Sequence, residues 1–244
     1  MFDLFADLYV HAFAVFLPAV IVTFVALAAR KAGLSPGPTL RAAGLTAALL
    51  AIWYAMSTAL AQAGLLMPPP TITDPPTALF VLFGGVALFW ALARGTAIGR
   101  TITDAIPQAA LIGFQIPRVM GGVFLLGWAA GAIPWQFALP AGIGDIWAGL
   151  AGYSAFRALN NGDADAQTKV LRANVIGLAD FAIAIVTGLI TSEGFLHLLS
   201  RDAPNIINAY PLALFPGFFV VLFATVHLLS LARLRHDRLA ALPA

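Results

Sequence analysis

Residues 108–158 read QAALIGFQIPRVMGGVFLLGWAAGAIPWQFALPAGIGDIWAGLAGYSAFRA, and their charged residues are Arg118, Asp145 and Arg157. Ile133-Pro134-Trp135 divides the stretch into two apolar segments. Each is long enough to cross a hydrocarbon core of roughly 30 Å as an α-helix, which takes about 20 residues. Backbone in lipid must bond to itself, and the sequence lacks the alternation of a closed barrel, so helices are the remaining solution. The turn between the segments is very short, which makes the two helices antiparallel neighbours.

The rest of the chain repeats this pattern. Of its 244 residues 61% are hydrophobic and 10% charged, and the mean hydropathy is +0.91, well outside the soluble globular range. Apolar spans are expected at about 7–29, 42–65, 77–95, 107–132, 136–158, 172–191 and 209–232, separated by proline-, glycine- and asparagine-rich breakers such as Ser35-Pro36-Gly37-Pro38 and Pro68-Pro69-Pro70. The expected fold is all-α: one integral membrane domain over residues 1–244, a bundle of seven transmembrane helices. The N-terminus lacks a basic region before the first apolar stretch, so that stretch is expected to remain as span 1. Ser192 to Asn208 and Ile98 to Ile106 could each hold a short interfacial helix.

Charge sets the orientation. Arg30, Lys31, Arg41, Arg94, Arg100, Arg157, Lys169, Arg172, Arg233, Arg235 and Arg238 fall on one side, Arg201 on the other, and Arg118 inside a span. The positive-inside rule then places the N-terminus outside and the C-terminus in the cytoplasm. The same distribution explains the pI of 9.3 without a nucleic-acid partner. Absence of cysteine removes disulfides, thiolate catalysis and Cys-ligated metals.

Polar residues gather on single faces. Gln108, Gln115, Arg118 and Gly122 lie within roughly 80° of one another on span 4. Gly142, Asp145, Gly149 and Gly152 do the same on span 5, and Asn174, Gly177, Asp180, Ala184, Gly188 and Thr191 form a broader stripe on span 6. Small residues let helices approach closely, so these faces should meet inside the bundle. At 1.5 Å per residue Arg118, Asp145 and Asp180 lie about 16, 13 and 12 Å from the nearer ends of their spans. An unpaired charge at such depth costs several kcal/mol.

Two readings of the trio stay open. In one, Arg118 and Asp145 form a buried pair that fixes helix register, and Asp180 is capped by Asn174, Thr187 or a backbone group. In the other, one guanidinium cannot neutralise two carboxylates, and the leftover acid, Asp180, exchanges a proton or binds a small cation. An anionic ligand on Arg118 is a third arrangement. Pro117, Pro140 and Pro216 are expected to kink their helices, and carbonyls freed by Pro117 and Pro216 could line a cation site. Gln115, Asn174, Thr187 and His227 are the candidate supporting polar groups. Trp53, Tyr54 and Trp147 either line a cavity for an amphipathic ligand, a lipid or pigment, or pack the core.

Several cofactor chemistries are not expected. His11 and His227 differ in depth, which disfavours a bis-histidine haem. Zinc would have two ligands at most, His227 and Asp180, where a catalytic site needs three. A retinal Schiff base needs a lysine in the last span, and Lys31 and Lys169 are both in loops. No catalytic residue, metal or cofactor is therefore assigned, and an enzyme is the least favoured class. The expected functions are a small permease or proton- or cation-linked transporter, or a non-catalytic membrane subunit or lipid-binding scaffold, alone or in an oligomer or larger complex.

The run Gln115-Ile116-Pro117-Arg118-Val119-Met120-Gly121-Gly122-Val123-Phe124-Leu125, with Phe137 to Asp145, Asn174 to Asp180, and Tyr210-Pro211, resembles a family of bacterial multi-pass inner-membrane proteins without an assigned activity. The resemblance covers roughly residues 108–235. It implies a bacterial inner-membrane location and adds no chemistry.

Overall fold

Prolines and glycines set the ends of the helices. In a computed structural model describing residues 2–240, with side chains to residue 237, α1 (Phe2–Lys31) runs to a glycine turn at Gly33, φ 85°. The Arg238 side chain, counted among the basic residues above, lies outside the described residues. α2 (Pro36–Gln62) begins on Pro36, whose missing N–H matters least in a first turn. α3 (Thr77–Trp90) continues as a π-helical turn, Ala91–Gly95. Thr96 then caps α4 (Ala97–Ala105), its hydroxyl accepting from Gly99 N at 3.0 Å. The helix expected within 98–106 is therefore present.

The fourth span is broken rather than kinked. α5 (Gln108–Gly113) stops ahead of Pro117, a 3-10 stretch covers Ile116–Gly122, and α6 (Val123–Ala129) completes the crossing. Pro117 cannot donate, and the tighter 3-10 pattern absorbs the loss over a whole segment. α7 (Trp135–Asn161) runs through Pro140 without interruption, and Gly162, φ 72°, ends it in the left-handed conformation. α8 (Ala166–Thr191) starts six residues before the expected boundary, because Lys169 and Arg172 occupy its first turns and lower the hydropathy there.

Residues 209–213, expected to open the last span, form a turn instead. A π-helical turn, Phe215–Phe219, then leads into α9 (Val220–Ala240). Pro216 lies at the start of that turn, so it opens the helix rather than kinking it. The Leu212 carbonyl is not freed either, since Phe215 N donates to it at 2.8 Å.

Residues 194–199 do not form the interfacial helix expected of them. Phe195 N donates to Pro69 O at 3.0 Å, and Leu198 and Leu199 N both donate to Ile190 O at 2.9 Å. These donors fold the segment back onto its neighbours and leave no helical ladder.

Among the described residues six segments are long and apolar enough to cross a membrane: Phe2–Lys31, Pro36–Gln62, Thr77–Gly95, Gln108–Ala129, Ala166–Thr191 and Phe215–Asp237. α7, at 27 residues, matches them in length. Its face of Gly142, Asp145, Gly149 and Gly152 dilutes its apolarity. Large apolar side chains such as Val15, Leu40, Leu45 and Phe80 are exposed, as befits a membrane protein whose solvent is hydrocarbon.

The interior is aromatic around α9. Phe114, Phe218 and Phe219 are fully buried, and Phe124 packs on Phe215 with ring centroids 4.5 Å apart. Trp53 Nε1 and Ser57 Oγ both donate to Gly217 O, at 3.0 and 2.9 Å, which ties α2 to the π-helical turn. Trp147 neither lines a cavity nor packs the core, being 61% exposed. One end of the bundle gathers residues 63–76, 130–134 and 192–208, joined by Phe195–Pro69 and Ile206–Ala132 backbone bonds. At the other end Arg233 Nη1 donates to the Asp104 and Ile106 carbonyls.

Candidate functional site

Arg118 sits in the 3-10 stretch of the broken span, fully buried. A 3-10 turn advances side chains differently from an α-helix, and here it presents the guanidinium to three helices at once. Nε donates to Asp145 Oδ1 of α7 at 2.9 Å, and Nη2 approaches the same oxygen at 2.8 Å. Nη2 also pairs with Asp180 Oδ2 of α8. Nη1 donates to the Gly177 carbonyl at 2.9 Å and meets His227 Nε2 of α9 at 3.2 Å. One face of the guanidinium lies on the Phe181 ring, 3.8 Å from its centroid. Every nitrogen of the arginine is thus engaged.

The sharing corrects one expectation. Asp145 is not the sole partner of Arg118, and Asp180 is not capped by Asn174 or Thr187. Thr187 bonds back to Ile183 O at 2.8 Å on its own helix and takes no part in the cluster. The reason is the break at Pro117, which turns Arg118 so that one nitrogen reaches both acids.

The trio needs glycine around it. A Cβ on Gly121 would collide with the Asp145 carboxylate, one on Gly144 with Asp180 Oδ1, and one on Gly177 with His227 and Arg118. The small-residue stripes therefore provide the space for the charges as well as helix packing.

A neutral chain extends from the arginine. Arginine only donates, so His227 Nε2 must accept from it, and the imidazole hydrogen lies on Nδ1. That hydrogen is donated to Asn174 Oδ1 across 2.9 Å. The Asn174 amide then donates to Val170 O at 2.9 Å and to Ser230 Oγ at 2.8 Å. Gln108 Nε2 closes the chain on Ser230 Oγ at 2.7 Å. Gln115, also buried, donates to Phe223 O at 3.3 Å and stands apart from the trio.

Ser230 and Phe181 were missed in the sequence reading. Ser230 had a signal, lying three residues after His227 on the same helical face. Phe181 follows Asp180 directly, and nothing local distinguished it from a packing residue.

The acids are less well satisfied than the arginine. Asp180 Oδ1 is buried without a hydrogen-bond partner among the described residues. The Arg118 bonds to Asp145 go to Oδ1 alone, and the Asp145 side chain keeps 13% exposure. With both carboxylates ionised and His227 neutral, the cluster carries one excess negative charge. Asp145 reaches a narrow cleft of about 90 Å³ bounded by α3, α8 and residues 66–69, whose other walls include Leu82, Phe137, Phe181, Ala184 and Phe215. Pro140 and Pro216 contribute no atom to the trio's hydrogen bonds. No group of three His, Asp or Glu suited to a metal ion occurs among the described residues.

Comparison with curated proteins finds no match, and comparison with solved structures finds none. A family model matches residues 75–235, which hold α3 to α9 nearly complete and the whole Arg118 cluster. The chain belongs to the family described as a domain of unknown function, DUF8737.

Proposed function

We propose that this chain is a small proton- or cation-linked permease in which Asp145 and Asp180 take up the transported or coupling cation and Arg118 sets their charge. Two acids share one arginine, and Asp180 Oδ1 has no donor. That unpartnered oxygen carries the proposal, because a buried carboxylate oxygen without a partner costs several kcal/mol unless a proton or cation satisfies it. In this reading α7 is a seventh crossing, the N-terminus is outside, and the membrane is the inner membrane of a bacterium. The basic residues at the α4 end of the bundle support that orientation.

The second reading is a non-catalytic scaffold or subunit, in which the trio only fixes packing. The complete engagement of Arg118 favours it.

Proton flux separates the two. In proteoliposomes with a trapped pH dye, the wild type is expected to exchange protons for an added monovalent cation or amine. The charged groups facing Asp180 are Arg118 and Asp145, with His227 behind the arginine. Proton and cation compete for the same carboxylates, so exchange passes through a maximum in pH, falling on the acid side where protons displace the cation and on the alkaline side where the acids carry no proton. Asp180→Asn should abolish the flux in a protein that still purifies as a folded, monodisperse species. Wild-type vesicles that pass no more protons than empty ones would sink the permease reading and leave the scaffold.

A further inference from the structure

We infer that the cation is an amphipathic organic one, whose charged head lies at Asp145 and one of whose apolar substituents enters the cleft between α3 and α8. The inference rests on the reading that the acid pair receives a cation, and adds what kind. Asp145 is the one charged residue among those lining the cleft. Behind it, Asp180 leaves Oδ1 unpartnered while its side chain is 94% buried (6% exposed).

The walls decide between classes of ligand. A hydrated metal ion gives up water only for several oxygen ligands, about six for magnesium or calcium. Here the cleft offers a single carboxylate, and most of its lining, including Leu82, Phe137, Ala184 and Phe215, is apolar. An anion is refused by the excess negative charge of the cluster. A quaternary or protonated amine with hydrocarbon substituents matches both features, since its charge is diffuse and its body gains by leaving water. Aromatic rings facing the cleft add to the attraction.

Space is kept by small residues on α8. Ala184 and Gly188 line the cleft, and a Cβ on Gly188 would meet Phe137 at 3.5 Å. A large side chain there would occupy the volume the ligand needs. Residues 67–69 and 207–208 also line the cleft, so it lies toward the end of the bundle that gathers those connections. A second, larger cavity contrasts with it. That space, about 500 Å³ near α1, α2 and α4, has Arg41 as its charged lining residue.

The test uses the full chain in nanodiscs of phosphatidylcholine and labelled tetraphenylphosphonium, with tetraphenylborate as an anion of the same shape. The wild type should bind the cation saturably, and the borate should not compete. Asp145→Asn should weaken binding on the order of tenfold or more. Gly188→Trp should abolish it while the protein remains monodisperse, which guards against an Asp145 variant that fails to fold. Thr187→Val, outside the cluster and the cleft, should bind as the wild type does. Absence of saturable binding, binding insensitive to both Asp145→Asn and Gly188→Trp, or equal competition by the borate would overturn the inference. Proton flux driven by an inorganic cation, without phosphonium binding, would remove the organic ligand and leave the permease. Phosphonium binding that depends on Asp145 without any flux would support the site and remove transport.

Discussion

Arg118 has two sides, and they are built differently. Toward α9 and the Asn174 turn it meets a neutral chain, His227, Asn174, Ser230 and Gln108, in which each residue bonds the next at 2.7–2.9 Å. Toward α7 and the middle of α8 it meets two carboxylates that compete for one guanidinium, with one buried oxygen left over. The first side has what a structural lock requires. With both acids ionised, the second carries an excess charge that a lock does not need, since a single aspartate would neutralise the arginine. A buried ionic site can therefore hold a bundle in register on one side and leave a carboxylate oxygen unpaired on the other, which is where we propose that a cation is taken up.

Removing the arginine breaks both sides together. Arg118→Met should cost about 3–5 kcal/mol of stability, because two carboxylates are left buried without a counter-charge. The check is the thermal unfolding of the purified protein in detergent; an unchanged Tm would show that the trio does not hold the bundle. Adding Asp145→Asn and Asp180→Asn to Arg118→Met should recover much of that loss.

The neutral side alone is broken by Asn174→Leu. This strands the His227 Nδ1–H, at about 1–3 kcal/mol for a buried donor left without an acceptor, while Ser230 keeps the Gln108 amide. Stability should fall while the phosphonium affinity of the cleft changes little. A large loss of affinity with intact stability would show that the two sides are one functional unit.

Gly177→Ala tests how tightly the sides meet. Its Cβ would press on both His227 and Arg118, and overpacking of this kind costs about 1–3 kcal/mol. Asp180→Asn is expected to have a smaller effect on stability, since it removes the excess charge while keeping the shape. Its effect should be on proton flux. Thr187→Val, whose hydroxyl bonds only to its own helix, should change stability by no more than about 0.5 kcal/mol.

Much of the site was legible before folding, and its limits are instructive. Arg118, Asp145 and Asp180 were conspicuous because charge inside apolar sequence is expensive, and expense leaves a local mark. The faces of Gly177, Asn174 and Gly149 followed from helical periodicity. What sequence spacing misjudged was the division of partners. It paired Arg118 with Asp145 because spans 4 and 5 are joined by a short turn, and left Asp180 either to local caps such as Thr187 or as the unmatched acid. The actual geometry depends on the 3-10 stretch at Ile116–Gly122, whose rotation of the arginine cannot be computed from a 3.6-residue period. Pro216 shows the same limit. A proline signals a lost donor, but only the neighbouring turn decides whether the helix bends there or begins there.

The sequence by itself determined that this is a membrane protein of crossing helices with three charges inside it, because hydropathy, length and the cost of buried charge are local properties summed along the chain. Tertiary structure alone decided that one arginine serves two acids, that His227 is a neutral acceptor within a polar chain, and that Asp145 faces an apolar cleft. Those facts depend on which faces meet and at what angle. That is a property of packed backbones and of glycine clearances at residues 121, 144 and 177, and no single helix specifies it.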